Sequence, residues 1–134
     1  MISRTLCRIF GVAFVLAGIA GFSDPNMFGL HLTTIHNVVH VFSGLVFLYV
    51  GFAGSADAVR GLMLTLGSAY VVLGLLGFLA PSLVQALIAH PASLDATALA
   101  PDNILNVLLG TVLVFTGLAH ASEDVPPMAR PRVS

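Results

Sequence analysis

Read from its first residue, the chain alternates long unbroken apolar runs with short polar breaks. Four runs approach the roughly 20 residues that a helix needs to cross a hydrocarbon core about 30 Å thick. They cover approximately residues 6–22, 35–54, 60–79 and 103–121. The runs are continuous, whereas the spans of a β-barrel alternate apolar and polar positions, so the pattern predicts an all-α, four-helix transmembrane bundle. The last three runs hold no charge inside their apolar stretch. Arg8 lies near the start of the first, where a long side chain can reach back to the interface.

The breaks carry their own signals. Asp24-Pro25 marks a turn in the 23–34 loop, Thr33 or Thr34 can cap the second span, and Asp102 can cap the fourth. Pro81 opens a short apolar stretch, 82–89, closed by His90-Pro91, which predicts a short helix lying at the membrane interface. Residues 92–101 read as a connector. Residues 122–134, with Pro126, Pro127 and Pro131, read as a flexible cytoplasmic tail after a single transmembrane domain over 1–121.

The spans repeat. Gly11, Ala13, Val15, Gly18, Gly21 and Phe22 find identical residues 56 positions later, and Asn37, Val41, Gly44, Val46, Gly51 and Ala53 find them 66 positions later. This predicts two tandem helical-hairpin repeats, about 4–54 and 60–121, related by a pseudo-twofold along the membrane normal. The first span corresponds to the third, which argues that it is retained and is not a cleaved signal peptide. Each span also carries two glycines seven apart: Gly11/Gly18, Gly44/Gly51, Gly67/Gly74 and Gly110/Gly117. That spacing keeps small residues on one side of a packed helix, where they let backbones approach closely in lipid. Phe14, Phe47, Tyr70 and Leu113 stand between the glycines at equivalent positions and predict a packing layer at mid-membrane.

Composition agrees and adds sidedness. The 134 residues are 57% hydrophobic and 8% charged, against about 25% charged in soluble domains. With net charge −1 and no lysine, there is no basic footprint for nucleic acid. The five arginines (Arg4, Arg8, Arg60, Arg130, Arg132) fall at the N-terminus, in the loop between the second and third spans, and at the C-terminus. An arginine excess marks cytoplasmic segments, so both termini are expected in the cytoplasm and the loops 23–34 and 80–102 outside. Cys7 is the only cysteine, which excludes an internal disulfide and leaves it a small packing residue.

The candidate chemistry lies at the outer end, where the second span opens with His36-Asn37-x-x-His40 and the fourth with Asp102-Asn103-x-x-Asn106. Positions 37, 40, 44 and 51 share one helix face, as do 103, 106, 110 and 117, so both polar ends are expected to face other helices. A hydrogen-bonded clasp between helices is the leading reading. The alternative is a metal or haem site: His36 and His40 are four residues apart, as zinc ligands can be, with His31 or Asp102 to complete the set. A glutamate like that of zinc proteases is missing, and one such pair cannot clamp a haem from both sides. A proton or solute path is a third reading, although no intramembrane carboxylate continues it inward. His90 and His120 each end a predicted helix, where a partly cationic ring suits the dipole.

The His36-Asn37-x-x-His40-x-x-x-Gly44 pattern on the second of four spans resembles a family of small bacterial membrane proteins of unknown function. The resemblance covers roughly residues 4–120. It implies a bacterial inner-membrane protein and supplies no activity or catalytic residues. With no nucleophile–base arrangement in view, the expected role is non-enzymatic: a structural or accessory membrane subunit without a cofactor, partnered by the bilayer and by another membrane protein or its own copies. An outer-side metal- or haem-binding protein is the alternative, and a small transporter or channel the third.

Overall fold

The structure, a computed structural model, describes residues 2–95 and 97–123. They form α1 (Ile2–Ser23), a 3-10 turn (Met27–Gly29), α2 (Thr34–Ala53), α3 (Ala56–Leu79), α4 (Pro81–Ile88) and α5 (Ala100–Glu123). The described residues are helical with no strand, and α1, α2, α3 and α5 are each long and apolar enough to cross a membrane. The boundaries follow local chemistry. Thr33 caps α2 by accepting from the His36 amide at 3.2 Å, and Ser55 caps α3 by accepting from the Ala58 amide at 3.1 Å. Pro81 opens α4, and Ala89, in the left-handed region at φ 54°, ends it.

The expected bounds shift at α5. It begins at Ala100, so Asp102 lies inside its first turn instead of capping it. The helix also runs to Glu123, two residues into the expected tail, whose remaining residues, with Arg130 and Arg132, lie outside the described ones. The side chain of His120 is likewise outside them.

Two tight helix pairs make the bundle: α1 packs on α2, and α3 on α5, with sparser contact between the pairs. Glycine is the reason each pair closes. A Cβ on Gly44 would stand 2.7 Å from the Val15 amide nitrogen and 2.8 Å from the Gly11 carbonyl oxygen. At Gly74 it would stand 2.6 Å from the Asn103 carbonyl oxygen. These separations leave room for hydrogen only, so the backbones themselves are in contact. The contacts recur at the two sequence offsets. Gly11 meets Leu48 and Gly44 where Gly67 meets Val114 and Gly110, and Gly18 meets Val41 where Gly74 meets Val107.

The approach of the backbones is less close toward the C-terminal ends of α2 and α5. There the nearest group is a side chain. A Cβ on Gly51 would stand 2.9 Å from Arg8 Cγ, and one on Gly117 would stand 2.9 Å from Leu64 Cγ and Cδ2. In both cases the partner's backbone nitrogen is 3.3 Å away, farther than at Gly44 or Gly74. Gly51 and Gly117 are buried and still pack against the neighbouring helix. At both positions a long side chain, which can shift, is the nearest group, as the Leu48 side chain is at Gly11. Even this departure is shared by the two halves.

Aromatic rings join the pairs. Phe14, Phe47, Tyr70 and Leu113 are all buried in one core cluster. Phe14 stacks on Phe47 at 5.6 Å within its own pair and on Tyr70 at 5.4 Å across to the other. The Tyr70 hydroxyl faces Ser43 of α2 without forming a well-aligned hydrogen bond. Long apolar side chains point away from the bundle, among them Leu16, Phe42, Tyr49 and Phe115. Asn37, His40, Asp102, Asn103 and Asn106 are buried inside it. This inverted distribution suits a lipid surround, where polar groups must find partners within the protein.

Arg8 is held against the last turn of α2. Its Nε donates to the Gly51 carbonyl at 2.8 Å, and its guanidinium lies 4.4 Å from the centre of the Phe52 ring. It thereby satisfies a carbonyl in the last turn of α2, which has no partner within the helix. Cys7 is fully buried beside it and donates to the Phe47 carbonyl at 3.3 Å.

Gly44→Leu and Gly110→Leu are expected to lower the thermal unfolding midpoint in detergent, each by at least the roughly 1–3 kcal/mol that overpacking costs. Gly61→Leu, where a Cβ meets nothing within 4 Å, is expected to leave it unchanged. Unchanged midpoints in both of the first variants would contradict the packing described.

Candidate functional site

The histidine-bearing end of the bundle is organised by a loop. After α1 the Asp24 carboxylate accepts from the Asn26 amide at 3.1 Å, and the Leu32 amide closes back on the Pro25 carbonyl at 2.8 Å. Phe28 adopts φ 58° within this turn, a conformation that L-residues seldom take, and its side chain is 88% exposed. The folded-back loop inserts Leu32 into the protein and carries His31 to the junction between the two helix pairs.

His31 is the hub of that junction. Its amide donates to both carboxylate oxygens of Asp102, at 3.1 and 3.2 Å, and its Nδ1 lies 3.2 Å from Oδ2. Its carbonyl accepts from His90 Nε2 at 2.7 Å and from His36 Nδ1 at 3.4 Å. Four segments thus converge on one residue: the first loop, the start of α2, the end of α4 and the first turn of α5. Asp102 is 3% exposed, and a carboxylate is favoured near the positive end of its helix dipole. Thr33 adds a second tie: the hydroxyl that caps α2 also donates to the Ile88 carbonyl at 2.6 Å.

The bonds also assign tautomers. His90 donates through Nε2, so its neutral ring carries a bare Nδ1, which is buried without a partner. His36 donates through Nδ1, which leaves Nε2 as its acceptor. His36 and His40 meet face to face, 4.5 Å between centroids and 24° between planes, and His40 stacks on Phe14 at 5.3 Å. The rings form a ladder of faces running inward from the loop. Stacked faces pack well but pass no proton along N–H···N bonds.

The six polar residues expected to act together divide between two places. Asn37 and Asn103 turn into their own helix pairs. The Asn37 amide rests against Gly21 of α1 and the Asn103 amide against Gly77 of α3, where any Cβ would collide with them. Asn37 Nδ2 donates to the Leu32 carbonyl at 3.2 Å. Asn106 is buried on the same face as Asn103. His36 and Asp102 join the loop junction, and His40 lies deeper, against Phe14. The bridge between the pairs is therefore made by His31, Asp102, His90 and Thr33.

His31, His90 and the Gly21/Gly77 pair have larger roles in the structure than their places in the sequence suggest. The two glycines were legible as identities in the repeat. The roles of the two histidines depend on how the loops fold back.

A metal at His36 and His40 would need a third ligand. His31 and Asp102 are bonded to one another, His36 Nδ1 is engaged by the His31 carbonyl, and among the described residues no three His, Cys, Asp or Glu side chains converge as a metal-ligand set. No family model, curated protein or solved structure matches this chain.

Asp102→Ala would leave the His31 amide and ring without their buried carboxylate partner. The expected loss is about 1.5–3 kcal/mol of unfolding free energy, with faster hydrogen exchange at the His31 amide. Ser93→Ala, at an exposed loop position, is expected to stay within about 0.5 kcal/mol of the parent. Equal losses in the two variants would remove the junction from its structural role.

Proposed function

We propose that this integral membrane protein is a non-enzymatic structural or accessory subunit of a bacterial inner membrane, built from two tandem copies of one helical hairpin. The observation that carries the subunit reading is the outer face of α2. Ile35, Val38, Phe42, Leu45, Tyr49 and Phe52 follow one another at steps of three and four residues, the spacing of a helix–helix seam. All are exposed, with Phe42 at 68% and Tyr49 at 72%. Rigid aromatic side chains along such a seam suit a partner helix, while lipid covers the other faces.

The tandem origin is supported by the backbone contacts that recur at offsets of 56 and 66 residues. Parallel copies of this kind are related by a pseudo-twofold along the membrane normal. The orientation rests on the arginines: the loops at the histidine-bearing end contain none, so that end faces outward and both termini lie in the cytoplasm.

Native mass measurement after mild extraction tests the subunit reading. A discrete assembly heavier than one 13.9 kDa chain is expected. Phe42→Ala with Tyr49→Ala should release single chains and leave the unfolding midpoint unchanged. Single chains under every mild extraction would overturn the reading. A reporter fused at the C-terminus is expected to signal from the cytoplasm, and a periplasmic signal would reverse the orientation.

A further inference from the structure

Two clefts flank the bundle at corresponding positions. One lies between α1 and α5, walled by Ala13, Phe14 and Leu105. The other lies between α3 and α2, walled by Ala69, Tyr70 and Val39, which are the same positions at offsets of 56 and 66. They differ in what closes them. The α1/α5 cleft narrows to about 140 Å³ beneath the folded-back loop and reaches His40, its one polar side chain. The other is about 230 Å³ and has no histidine.

His40 is the unusual feature. It is 7% exposed, so more than nine-tenths buried, and neither of its ring nitrogens has a hydrogen-bond partner among the described residues. A neutral imidazole carries one donor and one acceptor, and buried polar groups are ordinarily satisfied. Three rings present their faces to it, His36 at 4.5 Å, Phe14 at 5.3 Å and Tyr70 at 6.5 Å between centroids.

We propose that the α1/α5 cleft binds a lipid-soluble molecule whose head is a single six-membered ring bearing oxygen, of the quinone/quinol class, with the ring against Phe14 and an oxygen hydrogen-bonded to His40. Size supports a single ring, since an apolar cavity of about 150 Å³ accommodates benzene. Chemistry supports the oxygen, because an acyl chain could fill the apolar walls and still leave His40 unpaired. A quinone carbonyl accepts from the N–H tautomer, and a quinol hydroxyl donates to the bare nitrogen, so one imidazole serves both forms. Access is from the bilayer, because Ala13 and Leu105 at the mouth are exposed on the lipid-facing surface.

The test uses the full-length chain in lipid nanodiscs, titrated with a decyl-substituted 1,4-benzoquinone and, in parallel, with decylbenzene. The readouts are thermal stabilisation and the ¹⁵N shifts of labelled histidines. Saturable quinone binding is expected, with the His40 signal moved and decylbenzene at least about tenfold weaker. His40→Leu should reduce quinone binding to the decylbenzene level. Ala13→Leu fills the mouth without touching the core, so it should abolish binding in a folded protein even if His40→Leu fails to fold. Equal binding of the two probes, or quinone binding unchanged in Ala13→Leu, would show occupation by hydrocarbon alone or at another place and would overturn the proposal.

Discussion

Inside a bilayer, one apolar side chain gains little by packing against another, because the lipid tails it leaves are as apolar as leucine. Helices must then associate through close van der Waals contact and internal hydrogen bonds, and both improve as backbones approach. The rest of this structure depends on that approach. At Gly11, Gly44, Gly67 and Gly110 the backbones touch with no room for a Cβ. The other features follow from having two such closely joined pairs. Long side chains are left facing lipid, the pairs remain free to meet through rings rather than backbone, and polar residues at the helix starts are carried inside.

The meeting of the pairs uses two kinds of contact at two depths. Midway along the helices it is aromatic, with Phe14 stacked against Tyr70. At the histidine-bearing end it is polar, with the His31 backbone held by Asp102, His90 and His36. The polar set includes one carboxylate and places it at the start of a helix, where the dipole offsets part of its burial. Histidine suits this junction because each neutral ring can donate to a carbonyl while its other nitrogen stays bare. His40 stands apart, being buried, stacked and unpaired.

Much of the fold was legible in the residues. The four apolar runs became α1, α2, α3 and α5, and Pro81 opened the short α4. The glycine faces and the layer of Phe14, Phe47, Tyr70 and Leu113 followed from spacing, since helical period alone decides which residues share a side. How closely each glycine is approached was not legible: Gly117 meets the Leu64 side chain where Gly110 meets backbone. The start of α5 was less legible too, because Asp102 looks like a cap, but the helix had already begun at Ala100. The length and charge of Arg8 mark it as able to reach the interface and do not say which group it meets. Its actual partner, the Gly51 carbonyl, is set by how α1 lies along α2.

The sequence by itself determined the number of spans, their small-residue faces and the recurrence of those faces in two halves. These are properties of local period and composition, which need no knowledge of distant contacts. Only the tertiary structure decided which polar residues meet. Asn37 and Asn103 turn into their own pairs because Gly21 and Gly77 leave space there. His31, a loop residue with no periodicity to mark it, becomes the junction of four segments because the loop folds back on Pro25. The cleft beside His40 belongs to neither helix alone. It exists because α1 and α5, from different pairs, come together without closing, and no local pattern encodes a gap between elements so far apart in the chain.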